Sequence, residues 1–266
     1  MIGSICAAGW LTAAIAPAGP SVANANDMRG MLRVPAGAFV MGSNDGPDDE
    51  RPQHRFELPE FFIDRTKVTN GAFALFLNRV GPRGPHGENY FDINDHDARI
   101  HRRNGEWQAD EGYRNHPVVE VSWAGALAYC IWLGKRLPTE AEWEKGARGT
   151  DGRKYPWGNE APGRARAHFG AGWNELRPVG SVPQGASPYG ALDMAGNGWE
   201  WVSSAYRPYP YQPSDGREDL ITEQVRSTRG GGHDSSASEL TTTHRGRHVS
   251  RNPRSGHHNI SFRCVR

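Results

Sequence analysis

Histidine, hydroxyl and arginine side chains are concentrated in one stretch near the C-terminus, "RGGGHDSSASELTTTHRGRHVSR", residues 229–251. A serine hydroxyl needs an adjacent base to become a nucleophile, and His233 lies two residues before Ser235. These two are therefore the candidate catalytic residues. His257 and His258 follow shortly afterwards, and because imidazole nitrogens are good ligands for iron or copper, this pair is a candidate transition-metal site.

The same stretch carries its positive charge only as arginine. Lysine occurs in the whole chain only at positions 67, 135, 145 and 154. A planar guanidinium donates paired hydrogen bonds to carboxylates and other anions, which an ammonium cannot match. Arg245, Arg247 and Arg251 are therefore candidates for binding an anionic or peptide substrate, and ion pairing at the surface or core edge is the alternative.

Length and composition favour a single loop-rich domain. The 266 residues can bury one sizeable core, and 33 glycines with 19 prolines leave little room for long helices. The formal net charge is +1, so no overall field favours nucleic acid or an anionic membrane surface. Nucleic acid is therefore not an expected partner.

The N-terminus has the composition of an export signal. Residues 1–26 contain no charged side chain, an apolar run covers about residues 2–15, and "ANA" at 23–25 matches the small-x-small pattern of a signal peptidase site. Prolines at 17 and 20 end the run before it reaches spanning length, so stable membrane insertion is not expected. We predict a signal peptide over 1–26, a domain over 27–266, and a periplasmic or secreted protein.

Short strand and helix patterns follow, as is typical of an α+β domain. "MLRVPAGAFVMG" and "HRFELPEFFIDR" alternate apolar and polar residues and predict antiparallel strands. Thr69 and Ser122 are placed to cap two helices, the second ending at the glycine at 134. Thr139 and Glu142 predict a capping box for a third helix. "PVVEVSW", residues 117–123, predicts a further strand, and residues beyond about 150 are expected to be mostly loop.

An acidic turn lies in a polar insertion over about residues 81–115. Asp92, Asp95 and Asp97, with the asparagine at 94, carry the oxygen ligands that a hard cation prefers. The spacing, however, lacks the glycine and the terminal glutamate of an EF-hand loop. The pattern therefore favours a solvated turn over a metal site.

Five motifs in order resemble the formylglycine-generating enzyme, or sulfatase-modifying factor, family: "LGKRLPTEAEWEKGARG", "YPWGN", "YGALDMAGNGWEWV", "RGGG" and "NISFRCVR". The resemblance runs from about residue 31 to residue 266. It implies one compact α+β domain related to C-type lectins, with short strands, few short helices and long loops. The elements expected from the residues agree with that fold.

The resemblance also implies a structural calcium site in "DMAGNGWEW". The matching ligands would be Asp193 and Glu200 through their side chains, and Gly196 and Gly198 through their carbonyls. Oxygen ligands, two of them anionic, on a glycine-bearing loop suit a hard cation. The alternative is a tight turn that only anchors the two tryptophans of the motif.

Three further residues gain a role from the resemblance. After removal of the signal, Cys130 and Cys264 would be the only cysteines, and a lone pair in an oxidising compartment favours a disulfide. Family members bridge the same positions. The resemblance also places Asn259 in the substrate cleft, where it would donate a hydrogen bond to substrate backbone.

The chain departs from the active members of the family at their two copper-binding cysteines. The first matching position is Ser235, and the second is Leu240 or Thr243, depending on where a length difference is placed. A hydroxyl cannot replace the soft thiolate that selects copper(I). Formylglycine synthesis by the two-cysteine copper mechanism is therefore not expected.

Two functions from different classes remain open. The first is an exported oxidoreductase or maturation factor that modifies a protein or a peptide-like metabolite. The second is a non-catalytic accessory module, such as a chaperone, for an exported metalloenzyme, because a fold alone does not fix a function. Both would use the cleft to which the histidines and arginines belong.

Overall fold

The computed structural model describes residues 30–220, 224–246 and 252–266, and the predicted signal peptide lies outside these ranges. The described residues form three helices: α1 (Asn70–Val80), α2 (Trp123–Trp132) and α3 (Glu140–Arg148). The strands are β1 (Met31–Val34), β2 (Gly37–Met41), β3 (His54–Leu58), β4 (Phe61–Asp64), β5 (Ile100–Arg103), β6 (Glu106–Ala109), β7 (Trp199–Ala205), β8 (Arg226–Arg229) and β9 (Ile260–Phe262). Among them, no helix has the length and apolar character needed to cross a membrane.

Each helix begins at the cap that the sequence predicts. The side chains of Thr69 and Ser122 accept hydrogen bonds from the first turns of α1 and α2. Thr139 and Glu142 form the reciprocal capping box of α3. A glycine with φ 67° follows α2 and reverses the chain, as expected at position 134. These short-range predictions are confirmed.

The predicted N-terminal strands are confirmed as antiparallel pairs. β1 pairs with β4 and β2 pairs with β3, and a further hairpin joins β5 to β6. β1 to β4 pack with α3 around one apolar cluster that contains Trp143. α1 and α2 enclose a second cluster with Trp199 and Trp201 of β7.

The central sheet has the strand order β8-β7-β9, and all seven residues of β7 are buried. β7 runs parallel to β9 and antiparallel to β8. The N-terminal ends of β7 and β9 and the C-terminal end of β8 therefore meet at one edge of the sheet. Three chain segments that are distant in sequence reach this edge together.

One predicted strand is wrong. Residues 117–121 make only isolated bridges, Thr69 with Pro117 and Phe91 with Val121. Glu120 has φ 58°, in the left-handed region, which breaks the extended backbone that a strand requires. The apolar alternation of "PVVEVSW" comes from burial in the loop that leads into α2.

Cys130 of α2 and Cys264 form the disulfide that the resemblance implied, across a sequence separation of 134 residues. Both cysteines are fully buried in the cluster around α1 and α2. The bond ties the C-terminal segment, which follows β9, to the second helix.

Removal of this disulfide in a Cys130→Ala/Cys264→Ala double variant is expected to lower the free energy of unfolding by about 2–5 kcal/mol, because the unfolded chain gains freedom. Urea unfolding with and without reductant measures it. Reductant should weaken the wild type and leave the variant unchanged. Equal stability of the two proteins in oxidising buffer would contradict the prediction.

Candidate functional site

The candidate site lies at the sheet edge where β7, β8 and β9 meet. Residues 230–235 leave β8, and residues 257–259 enter β9. Gly230 and Gly231 have φ values of 97° and 79°, which a side chain with a Cβ rarely adopts. The glycine triplet therefore turns the chain sharply at the end of β8, and His233, which follows it, is buried.

His233, Asp234 and His258 form a compact cluster at this edge. Each offers a ligand atom, and these atoms lie within 4.8 Å of one another. Nε2 of His258 lies 3.3 Å from Oδ2 of Asp234, and the rings of His233 and His258 meet edge to face with centroids 6.0 Å apart. Such a set can hold a metal ion or share a proton.

The His233 side chain is fully buried, and both of its ring nitrogens lack a hydrogen-bond partner among the described residues. Burial lowers its pKa to about 4, and the nearby charge of Asp234 does not reverse this. The imidazole is therefore neutral at pH 7, with a nitrogen lone pair directed at no protein group. A neutral imidazole is the form that binds metals.

Asp234 was missed in the sequence, although its position between His233 and Ser235 was a signal. Burial alone would raise its pKa, but the contact with His258, the nearby His233 and a hydrogen bond from Asn259 outweigh burial and lower it. The Nδ2 atom of Asn259 lies 3.1 Å from Oδ2 of Asp234. Asp234 is therefore an anion oriented by its neighbours.

Trp173 forms the outer wall of the cluster and was also missed. Its ring stacks on His258 with centroids 3.6 Å apart, and 64% of its surface is exposed. Its Nε1 donates to Oδ2 of Asp97 at 2.9 Å, and Nδ2 of Asn174 donates to the other oxygen at 2.7 Å. An anchored, exposed aromatic ring beside the cluster is a surface on which an extended substrate can lie.

The predicted pairing of Ser235 with His233 does not form. The Ser235 hydroxyl accepts a hydrogen bond from the backbone N–H of Gly232 at 3.0 Å, which closes the turn. Because the His233 nitrogens have no partner in the described chain, they do not activate this hydroxyl. Ser235 is a turn residue in this structure rather than a nucleophile.

The prediction that Arg245 binds substrate is wrong. Its guanidinium is buried and donates to both carboxylate oxygens of Glu140, at 2.8 and 3.1 Å. It also lies against the rings of Tyr206 and Tyr209. Arg245 therefore holds the core together and faces no cleft. Arg247 and Arg251 lie outside the described residues.

The histidine pair predicted as metal ligands is separated by the structure. His258 belongs to the cluster, whereas His257 does not. The half-buried ring of His257 instead interacts electrostatically with Asp92 and Asp95, although burial is the main reason that its pKa is lowered. Asn259 lies at the cluster, where its side-chain amide donates to Asp234; its predicted hydrogen bond to substrate stays a prediction.

The calcium ligands that the resemblance implied, Asp193, Gly196, Gly198 and Glu200, do not form an oxygen cage in this structure. Lys67 reaches the turn, and its buried Nζ donates to Oε1 of Glu200 at 2.5 Å and to the carbonyl of Asp193 at 2.8 Å. Since an ammonium already neutralises the turn, the residues present do not fit a calcium ion there.

Glu200 has no oxygen left for a metal. Arg263 donates to both of its carboxylate oxygens, at 2.7 and 2.8 Å, and Nε1 of Trp143 donates at 3.0 Å. Burial alone would raise the pKa of Glu200, but Arg263 and Lys67 outweigh it and lower the pKa to about 2. The turn is thus an ion-pair centre of the core.

Comparison with known proteins agrees with the fold and the motifs. Residues 18–266 match the sulfatase-modifying factor enzyme 1-like domain. The chain belongs to the sulfatase-modifying factor family. A formylglycine-generating enzyme of Streptomyces coelicolor is 36% identical over 301 residues, covering 95% of this chain and 94% of that protein. A hercynine oxygenase of Mycolicibacterium smegmatis is 37% identical over 222 residues, covering 73% of this chain and 49% of that protein.

Other relatives share the sulfatase-modifying factor domain as part of longer proteins. The serine/threonine-protein kinase Pkn1 of Chlamydia trachomatis is 40% identical over 242 residues. The match covers 89% of this chain, which spans only 38% of the length of that relative. The shared part is therefore the domain.

A solved structure has the same architecture. PvdO from Pseudomonas aeruginosa superposes with a TM-score of 0.68 at 27% identity, covering 89% of this chain and 93% of that one. The predicted α+β, loop-rich fold with short strands and few helices is confirmed. The relation to C-type lectins stays an expectation from the resemblance.

Proposed function

We propose that this protein is an exported oxidoreductase or maturation factor that acts on a protein or peptide-like metabolite, with a transition metal bound by His233, Asp234 and His258. The observation that carries the proposal is the fully buried His233, whose two ring nitrogens have no partner in the described chain. Membership of an oxidising family and an oxygenase among the relatives support the reaction class.

A buried polar group without a partner destabilises the fold by about 1–3 kcal/mol. A metal ion bound to a His233 nitrogen would remove that cost. Asp234 would supply negative charge and His258 a second imidazole. Asn259, which donates a hydrogen bond to Asp234, would hold that carboxylate in orientation, as partners of ligating carboxylates usually do.

The donor set indicates which metal. Two imidazoles and one carboxylate, with the remaining positions open, suit iron(II) in oxygen-dependent enzymes. Thiolates, which favour copper(I), are absent, because the positions matching the family's cysteines carry Ser235 and Leu240 or Thr243. When bound, iron would supply the site at which oxygen reacts. The chain would exclude water around His233 and present the substrate along Trp173.

Export is the remaining part of the proposal. The disulfide between Cys130 and Cys264 supports an oxidising compartment, in agreement with the signal peptide predicted over residues 1–26. The protein would then be periplasmic or secreted. Its substrate, a protein or peptide-like metabolite, would meet it there.

Element analysis tests the proposed metal site. Protein reconstituted anaerobically with iron(II) is expected to hold about one iron per chain, and His258→Ala is expected to reduce the affinity at least about tenfold, since even outer-shell changes cost 10–100-fold. His257→Ala is the matched control, because this neighbouring histidine lies outside the cluster and should keep the metal. Equal loss in both variants, or no iron in the wild type, would refute the site.

The second candidate, a non-catalytic accessory module for an exported metalloenzyme, is supported by the exposed Trp173 ring that stacks on His258. Pull-down from periplasm distinguishes the accessory module from the enzyme. A stoichiometric partner that is retained by His258→Ala and lost in Trp173→Ala favours the module. A partner that the wild type releases after modification, and that accumulates on His258→Ala, favours the enzyme.

A further inference from the structure

A second cluster of acidic side chains lies beside the candidate site. Carboxylate oxygens of Asp92, Asp95 and Glu120 lie within 4.8 Å of one another. Asp92 and Asp95 belong to the acidic turn of the polar insertion, and Glu120 belongs to the loop before α2. The backbone N–H of Asp92 donates to the carbonyl of Glu120 at 2.9 Å and joins the two segments.

Glu120 is the unusual member of this cluster. Only 3% of its surface is exposed, and its carboxylate has no hydrogen bond and no ion pair with any residue that the structure describes. Burial, and then the charges of Asp95, Asp92 and Asp97, raise its pKa to about 8. A buried carboxylate facing two others is unfavourable unless a cation joins them.

The protein's own cations do not fill this role. Within the described ranges, no lysine or arginine forms an ion pair with Asp92, Asp95 or Glu120, and the histidine contact of Asp95 is at 3.5 Å with the exposed His96. The cluster therefore brings three carboxyl groups together with no lysine or arginine of the described chain to pair with them.

The backbone fixes Glu120 in this orientation. Its φ of 58° is uncommon for a residue with a side chain and is seen mainly where surrounding structure enforces it. Gly256 packs so tightly against it that an added Cβ would lie 2.2 Å from the Glu120 carbonyl carbon. The backbone N–H of Glu120 is held by the carbonyl of His257 at 3.0 Å. The carboxylate is thus held against the acidic turn by strained backbone and close packing.

We propose that Asp92, Asp95 and Glu120 bind a hard divalent cation of the calcium type. Oxygen ligands alone, three of them anionic, select calcium or magnesium over softer metals, and an irregular arrangement suits calcium better than the strict octahedron of magnesium. Water would complete the coordination. The third acidic residue of the turn, Asp97, is not a ligand because Trp173 and Asn174 occupy its oxygens.

The cation would stabilise the wall of the candidate site. The turn from Asp92 to Asp97 has the cation cluster at one end and the anchor of Trp173 at the other. Trp173 in turn stacks on His258. A cation that fixes the start of this turn would fix the ring that covers His258. The inference does not depend on the metal proposed at His233.

Calcium titration of the chelator-treated full chain tests the inference. Calorimetry is expected to give one calcium per wild-type chain, and the melting temperature should rise by about 5–10 °C at a calcium concentration 100 times the Kd. Glu120→Gln should abolish both effects. It should also raise the melting temperature in chelator, since it removes a buried, repelled carboxylate. Glu111→Gln, an exposed change of the same type in the same insertion, should behave like the wild type.

A second variant keeps the test decisive if Glu120→Gln does not fold. Asp92→Asn/Asp95→Asn leaves the strained residue in place and should also lose calcium. The inference is overturned if wild-type protein binds no calcium at millimolar concentration. It is equally overturned if both cluster variants keep wild-type affinity, or if only Asp193→Asn loses the ion, which would place calcium at the 193–200 turn.

Discussion

Replacement of Glu200 with glutamine is expected to lower the free energy of unfolding by about 3–5 kcal/mol, because it leaves two buried cations without their counter-ion. Lys67 and Arg263 both end on this carboxylate, and all three side chains are fully buried. Glutamine keeps the shape but not the charge. Urea unfolding at pH 7 measures the loss.

The exposed pair of Arg33 and Glu60 provides the control. These side chains are 65% and 39% exposed, so Glu60→Gln should cost less than about 1 kcal/mol. A loss at Glu200 no larger than the loss at Glu60 would contradict the ion-pair centre. Loss of a bound calcium ion in Glu200→Gln would show instead that the turn is a metal site.

The pH dependence of the free energy of unfolding of wild type and Glu200→Gln gives an independent check. The pKa of Glu200 is lowered from 4.5 to about 2 in the folded chain. Its contribution to stability is therefore complete above pH 4.5 and is lost as the pH falls towards 2. The stability difference between wild type and Glu200→Gln should shrink over that interval. If the stability difference between wild type and Glu200→Gln stays constant down to pH 2, the charge of Glu200 is not the cause of that difference.

Replacement of His233 with leucine is expected to reduce bound iron below detection while stabilising the metal-free protein by about 1–3 kcal/mol, the usual cost of an unsatisfied buried polar group. The loss of bound iron and the gain in stability have the same cause. The side chain that would bind the metal has buried nitrogens that no described residue satisfies. Element analysis and urea unfolding of metal-free protein measure them.

His54→Leu is the matched control for stability. Its Nδ1 lies 2.8 Å from the carbonyl of Pro52, and its Nε2 accepts a hydrogen bond from the backbone of Tyr211 at 2.9 Å. The same substitution there should destabilise the protein and leave its iron unchanged. If His233→Leu destabilises the metal-free chain as His54→Leu does, the His233 nitrogens have partners and the proposed metal site loses its main support.

Features set within a few residues could be predicted from the sequence. The caps at Thr69, Ser122 and Thr139 depend on hydrogen bonds to the next turn of the same helix, so local pattern was sufficient. The strand predicted at residues 117–123 failed for a reason that lies outside that segment. Nothing in the pattern shows that Glu120 adopts a left-handed backbone, which depends on packing against Gly256.

Side-chain roles set by distant partners could not be predicted. Arg245 was placed in the cleft, but its partner Glu140 lies 105 positions away. Glu200 was assigned to calcium because its partner Lys67, 133 positions away, cannot be read from the motif. His233 and His258 were found because imidazole side chains are chemically distinctive. Asp234 and Glu120, as ordinary acidic residues, needed the fold to single them out.

The ammonium of Lys67 lies where related proteins are expected to bind a structural cation, and it is covalently part of the polypeptide. It cannot dissociate, be sequestered by a chelator or be lost by dilution. The three-stranded sheet around Glu200 should therefore form in the newly made chain even where alkaline-earth metals are scarce.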